Sequence, residues 1–268
     1  MDAREGIPLR FAKLSANGND FVLIEGTEVS GFSLPDLARK ILRRRFSVGG
    51  DGLIVLEMKS ESSLELKFFN PDGSEAEICG NSMICAGKYL RELKGLRGEL
   101  TVHFRAGVRK IRIKEAAVEA QVARISHKYE EIEFPEIEAD LKGFFTGEIG
   151  NPHVVIIGEI PDNKRFRRIA PLIENHKRFP SRTNVEFLKI LDSQRGLLRI
   201  WERGAGETLS CATGASAAFL IGLNLDLLSP PAILQSKGGT HRLWIEGDEI
   251  WLSAEALLPY VGEYLGID

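Results

Sequence analysis

Asn70-Pro71-Asp72-Gly73-Ser74-Glu75-Ala76-Glu77-Ile78-Cys79-Gly80-Asn81 and Glu202-Arg203-Gly204-Ala205-Gly206-Glu207-Thr208-Leu209-Ser210-Cys211-Ala212-Thr213-Gly214 are the two stretches whose reading decides the fold. Each is a loop that ends on a cysteine, and each cysteine stands before a run of small and apolar residues that reads as a buried helix. The cysteines are 132 residues apart (211 − 79). The same offset carries Gly18-Asn19 onto Gly150-Asn151, Val22 onto Val154, Ile24 onto Ile156 and Glu75 onto Glu207. In each half an Asn precedes its Cys by 60 residues (79 − 19 and 211 − 151), and the chain, at 268 residues, is close to twice the offset. A duplicated fold accounts for this pattern, with each half contributing one thiol.

The elements around the loops repeat in the same way. Phe21-Val22-Leu23-Ile24 and Val154-Val155-Ile156-Ile157 each follow a Gly-Asn loop and read as buried strands. Ser33-Leu34-Pro35-Asp36 has the form of a capping box with Pro near the first helical position, opening a helix that runs to about Arg45. Leu53 to Leu56 and Leu64 to Phe69 are strands that lead to the Cys79 loop; Val185 to Leu188 and Leu197 to Trp201 lead to the Cys211 loop. A helix spans 80–94, strands alternate from Leu100 to Ile125, and Lys164 to Asn175 is helical with an interruption expected at Pro171. Residues 212–223 are apolar or small almost all round, as a helix sheathed by sheet should be. Trp244-Ile245 and Ile250-Trp251-Leu252 form a closing hairpin. The expected architecture is α+β, with two pseudo-symmetric domains that are each a mainly antiparallel sheet or barrel around a central buried helix. The first spans 1–117 and the second 118–257. A tail, 258–268, should pack back on the first, and the site is expected where the two domains meet.

Composition narrows the function. Hydrophobic residues make up 43% and charged residues 27%, as in ordinary globular proteins. A net charge of −3 disfavours nucleic-acid binding, because no basic excess is available to displace counterions. No apolar run approaches the roughly 18 residues of a membrane span, and the N-terminal residues lack the apolar segment of a signal peptide. The expected setting is therefore the cytoplasm, with reduced thiols. Neither CxxC pairs nor a local His-x₃₋₅-His spacing is present, so no metal is expected. No Walker A or Gly-x-Gly-x-x-Gly pattern and no recognisable phosphate loop points to a nucleotide or pyridoxal cofactor, and none is expected.

A cysteine at a helix start carries chemistry. A free thiol titrates near about 8.5, and the unpaired amides and aligned dipoles of a helix N-terminus lower that value. The amides of Asn81 to Met83 and of Thr213 to Ala215 are the expected free donors. Two such helix starts can hold a carboxylate and stabilise the carbanion-like state formed when its α-carbon loses a proton. Inverting that carbon needs a base on one face and an acid on the other, and two thiols, one ionised, satisfy this geometry. Cys85 has no counterpart at the offset (Ala217 stands there) and reads as core.

The two loops resemble those of diaminopimelate epimerases, enzymes that work without pyridoxal phosphate. The signature is Asn70-Pro71-Asp72-Gly73-Ser74 through Cys79-Gly80-Asn81, supported by Gly18-Asn19-Asp20-Phe21, Gly50-Asp51-Gly52-Leu53, Gly150-Asn151-Pro152-His153, Asn184-Val185 and Glu202-Arg203-Gly204. The resemblance covers nearly the whole chain. It implies a diaminopimelate epimerase-like fold, a homodimer, and Cys79 and Cys211 as the acid/base pair. The amides of Gly80-Asn81 and Ala212-Thr213 would hold the reacting carboxylate. Asn19, Asn70, Asn151, Asn184, Glu202 and Arg203 would grip the two ends of the amino acid, with Arg203 on the far carboxylate, and His153 would orient the site. The implied reaction interconverts LL- and meso-2,6-diaminopimelate. Departures from the family pattern are Ser82, Ile84 and Ala212. The other readings are a broad amino-acid racemase acting, for example, on lysine, and a thiol redox or binding protein. Arg203 and the Asn set count against the racemase, since a monocarboxylate would leave them unpaired.

Overall fold

The duplication seen in the sequence reappears as strand register. The computed structural model describes residues 8–76, 80–105 and 107–266; Cys79 and the first seven residues lie outside them. Its chain falls into two compact units, Met1–Ala120 with Ala254–Asp268, and Gln121–Ser253.

The first unit holds β1 (Leu9–Ala16), β2 (Asn19–Glu25), α1 (Leu34–Ile41), β3 (Gly52–Ser60), β4 (Ser63–Phe69), β5 (Glu75–Ala76), α2 (Gly80–Lys94), β6 (Gly98–Phe104) and β7 (Gly107–Ile113). The chain passes through β8 (Val118–Arg124) into the second unit. There follow β9 (Glu130–Glu133), β10 (Lys142–Thr146), β11 (His153–Ile157), α3 (Asn163–Glu174), β12 (Asn184–Asp192), β13 (Arg195–Glu202), β14 (Gly206–Thr208), α4 (Ala212–Asn224), β15 (Ala232–Ser236), β16 (Gly239–Glu246) and β17 (Glu249–Ala254). The last strand, β18 (Ala256–Tyr264), pairs antiparallel with β1.

In the first unit β2 runs parallel to β3 with Phe21 opposite Gly52, and in the second β11 runs parallel to β12 with His153 opposite Asn184. Both residues of the second pair stand 132 after those of the first (153 − 21 and 184 − 52). The antiparallel pairs obey the same shift: Leu53 faces Phe69 and Val185 faces Trp201, while Phe68 faces Ala76 and Ile200 faces Thr208. Even the β-bulge between Met58 and Ser60 recurs between Ile190 and Asp192. A slip of one residue would turn every side chain to the opposite face, so shared register means shared inner and outer faces.

Each unit surrounds one helix. In α2 every residue from Gly80 to Gly87 is buried, and the helix packs on β1, β7 and β18. Close approach requires glycine there: a Cβ on Gly87 would lie 2.4 Å from Val118 Cγ1. In α4 every residue from Ala212 to Gly222 is buried, and the helix packs on β10, β11, β12, β15 and β16. Uniform burial explains its lack of a polar face. On the other side of the sheets, α1 joins a core of Val22, Ile24, Leu37, Ile41 and Leu53, and α3 joins one of Val154, Ile156, Phe166, Ile169 and Phe187. Each such buried side chain contributes on the order of 1.5–3 kcal/mol relative to exposure. No described helix is long and apolar enough to cross a membrane.

Two local expectations are corrected. First, α1 ends at Ile41 rather than near Arg45: the chain leaves the helix at Leu42 (ψ −1°), and the Ile41 carbonyl accepts from the Gly49 amide at 2.9 Å instead of continuing the helix. Its Ser33 does not cap a backbone amide; the hydroxyl donates to Asp36 Oδ2 at 2.7 Å instead. Second, α3 continues unbroken past Pro171 to Glu174. The ring removes one amide, but the acceptor it deprives, the carbonyl of Arg167, belongs to an exposed residue and water can satisfy it. The turn beyond is closed by Asn175, whose Nδ2 donates to the Pro171 carbonyl at 2.8 Å.

Candidate functional site

Cys211 is the N-cap of α4, in extended backbone conformation (φ −144°, ψ 120°). Its Sγ accepts from the Gly214 amide at 3.4 Å and lies 3.2 Å from Thr213 Oγ1, while its carbonyl accepts from the Ala215 amide at 2.9 Å. The donors expected over Thr213 to Ala215 are therefore shifted. Gly214 and Ala215 are engaged by Cys211 itself, and the amides left without an intrahelical acceptor are those of Ala212 and Thr213. A side chain at Gly214 would displace the buried Glu186 carboxylate, since its Cβ would sit 2.7 Å from Oε1.

The charge state of this thiol departs from expectation. Burial, then the carboxylates of Glu202 and Glu186, push Cys211 well above the ordinary cysteine value. The Thr213 hydroxyl and the Gly214 amide pull the other way but are outweighed. The helix start thus favours the anion, as expected, yet a dry pocket next to negative charge keeps the proton on sulfur. Glu202, at the end of β13, is also raised: burial outweighs the opposing pull of the Thr208 hydroxyl and the Cys211 thiol.

Behind this pair lies a buried polar chain. His153 opens β11 with its ring fully enclosed; Nδ1 is 2.8 Å from Glu186 Oε1 and Nε2 is 2.9 Å from Asn151 Oδ1. Asn184 opens β12. Its Nδ2 donates to the Pro152 carbonyl at 2.9 Å and its Oδ1 accepts from the Arg203 amide at 2.9 Å, so it ties the Asn151 loop to the Glu202-Arg203 turn. Arg203 is exposed, with Nη1 3.2 Å from the Ser181 carbonyl.

The first unit presents a different set. Gly80 begins α2, and Asn81 Nδ2 donates to Asn19 Oδ1 at 3.0 Å. Asn19 Nδ2 in turn reaches Asp51 Oδ2 at 3.4 Å, and the Asp20 amide donates to the same oxygen at 3.1 Å. Arg44 pairs with both Asp20 and Asp51, and the buried Lys13 ammonium pairs with Asp20 at 2.7 Å. Burial alone would raise Asp20, but Arg44 and Lys13 hold it below the usual carboxylate range. Asn70 lies in a tight turn: its Nδ2 donates to Ser74 Oγ at 3.0 Å and its carbonyl accepts from Gly73 at 2.9 Å. Gly73 takes φ +84°, and a Cβ there would meet the Pro35 carbonyl at 2.7 Å.

Within the second unit, then, Glu202, Cys211, Thr213, His153, Asn151, Asn184 and Arg203 form one connected set. Within the first, Asn19 and Asn81 are joined and Asn70 holds its own turn. Three carboxylates belong to these networks without having been singled out in the sequence: Asp51, Glu186 and Glu174. Asp51 stood in the Gly-Asp-Gly motif. Glu186 interrupts the otherwise apolar Val185-Glu186-Phe187-Leu188, and an acid inside such a strand was the available signal. Among the described residues no cluster of three or more His, Cys, Asp or Glu side chains is arranged to hold a metal ion.

Known proteins share both sequence and fold with this chain. The diaminopimelate epimerase family profile matches residues 11–126 and 145–253. A diaminopimelate epimerase of Pelotomaculum thermopropionicum is 36% identical, over 96% of this chain and 99% of that protein. One from Carboxydothermus hydrogenoformans is 33% identical over the same shares, 96% and 99%. Among solved structures, a phenazine biosynthesis protein of the PhzF family from Enterococcus faecalis superposes with a TM-score of 0.73 at 14% identity, covering 96% of this chain and 99% of that one. A hydroxyproline epimerase from Agrobacterium vitis gives 0.69 at 14%, covering 100% and 95%. These structures share the fold; the full-length sequence identity narrows the relationship further. With the doubled architecture, the thiol cap of α4 and the Glu202-Arg203 turn in place, the chain belongs to the diaminopimelate epimerase family.

Proposed function

We propose that this chain interconverts LL- and meso-2,6-diaminopimelate without a cofactor, using Cys79 and Cys211 on opposite faces of one α-carbon. The observation that carries this reading is the Cys211 thiol at the start of α4, kept protonated by burial and by Glu202. A protonated thiol is an acid ready to deliver its proton to a carbanion.

Register supplies the partner's role. The positions equivalent to Glu202 and Glu186 in the first unit are Asn70 and Ile54 (202 − 132 and 186 − 132), which carry no charge. The uncharged residues at these positions support assigning Cys79, by the same register, as the resting thiolate. In the forward step the Cys79 thiolate takes the α-proton and becomes a thiol. Cys211 gives its own proton to the opposite face and becomes a thiolate, so one C–H bond breaks, another forms, and the configuration inverts. The amides of Ala212 and Thr213, with those of Gly80 and Asn81, hold the adjacent carboxylate and take up the charge that builds on it. Asn19, Asn70, Asn151 and Asn184 supply further donors and acceptors, and His153 holds Asn151 in place. Glu202 borders the acid thiol, and Arg203, the exposed cation of the set, receives the far carboxylate.

A cytoplasmic homodimer fits this reading. The strand β18 leaves Leu257, Tyr260 and Val261 exposed, which supports burial against a second copy.

Incubation of the purified protein with LL-diaminopimelate, without added cofactor, should yield the meso isomer on chiral separation, while L-lysine stays unracemised. Failure to form meso-diaminopimelate under these conditions would refute the assignment.

A further inference from the structure

We propose that Glu174 is a positioning residue that sets the preference for a dicarboxylate by fixing the turn bearing Arg203. This inference rests on the assignment of Arg203 to the far carboxylate.

Glu174 is the last residue of α3 and is only 5% exposed, an unusual place for a carboxylate. Both oxygens are engaged, and every donor belongs to the Arg203 turn or its support. Oε1 accepts from the Gly204 amide at 2.8 Å and from Arg182 Nη1 at 3.3 Å. Oε2 accepts from the Trp201 indole Nε1 at 2.7 Å. Its main-chain carbonyl accepts from the Thr183 amide at 3.2 Å, next to Asn184. Asn184 holds the Arg203 amide, so the turn is pinned at two consecutive amides and at the ring that precedes them.

The turn needs such a clamp. Gly204 takes φ +79° and Gly206 φ +83°, and the Arg203 side chain is exposed, so packing does little to aim it. Arg182 lies against Gly204, where a Cβ would sit 3.5 Å from Nη2. Glu174 pairs with that guanidinium and leaves Arg203 as the cation without a carboxylate partner among the described contacts of the turn.

Comparison of the two units argues that the clamp is specific to the Arg-bearing half. The position equivalent to Glu174 in the first unit is Leu42 (174 − 132), a buried apolar residue. The turn there carries Pro71 where Arg203 stands, and it is held by a cation, Arg39 Nε donating to the Asp72 carbonyl at 2.8 Å. Of the two equivalent positions, the buried carboxylate stands at the one beneath the turn that presents an arginine.

Glu174→Gln tests this, since it keeps the side-chain shape and replaces one acceptor oxygen by a donor that repels the amide or indole N–H. The wild-type protein is assayed first with LL-diaminopimelate; its inactivity would defeat the functional reading, not the clamp. With an active wild type, Glu174→Gln should raise KM for diaminopimelate about tenfold, with a smaller fall in kcat. Its effect should be less than additive with Arg203→Lys, as for residues that act through one another. A merely structural role would lower thermal stability and the active fraction while leaving KM unchanged, and that result overturns the proposal, as does full additivity. Should Glu174→Gln fail to fold, Trp201→Phe removes one of the donors and keeps a ring. A KM raised about fivefold supports the clamp, and an unchanged KM overturns it.

Discussion

Replacing Cys211 by alanine lowers the epimerisation rate by about 10²- to 10⁴-fold, the span general acid–base catalysis commands. Cys79→Ala has an effect of the same size. Neither change should unfold the protein. The Cys211 side chain is small, and loss of its cap interaction removes on the order of 1 kcal/mol from a fold whose stability is of the order of 5–15 kcal/mol. The two variants differ in what survives. With Cys211 absent, the Cys79 thiolate can still remove an α-proton, but only solvent can return one on the far face. Exchange of the α-hydrogen should then outlast inversion. Initial rates by chiral chromatography, with circular dichroism to verify folding, give the answer. A variant that epimerises at near-normal rate removes that thiol from the mechanism.

Arg203→Lys produces the second large effect, a rise of about 10- to 100-fold in KM for diaminopimelate, because a lysine ammonium cannot make the paired contacts of a guanidinium to a carboxylate. The loss should be confined to ligands with two carboxylates. Inhibition constants for a diaminodicarboxylate and for a diamino-monocarboxylate, measured on both proteins, separate the cases. Equal weakening of the two ligands would place Arg203 away from the far carboxylate.

Much of this was legible in the sequence. The 132-residue offset located the doubled strands and the two enclosed helices, because duplication preserves register and register preserves faces. What escaped were features decided by burial and contact rather than by residue type. Pro171 does not break α3, because an exposed carbonyl can do without its amide partner. Glu174 looks like an ordinary surface acid until the helix and strands that enclose it are in place. The protonation of Cys211 is the sharpest case. A helix start argues for an anion, and burial of the sulfur, with Glu202 and Glu186 beside it, reverses the balance.

The central claim is that proton removal and proton delivery belong to different sulfurs. Conversion of LL- to meso-diaminopimelate in D₂O, stopped early, measures this directly. Separate bases predict that the product carries one solvent deuteron at the inverted carbon while recovered substrate carries none. Deuterium entering recovered substrate as fast as product, or product retaining the original hydrogen, would mean a single group handles both faces and would contradict the account.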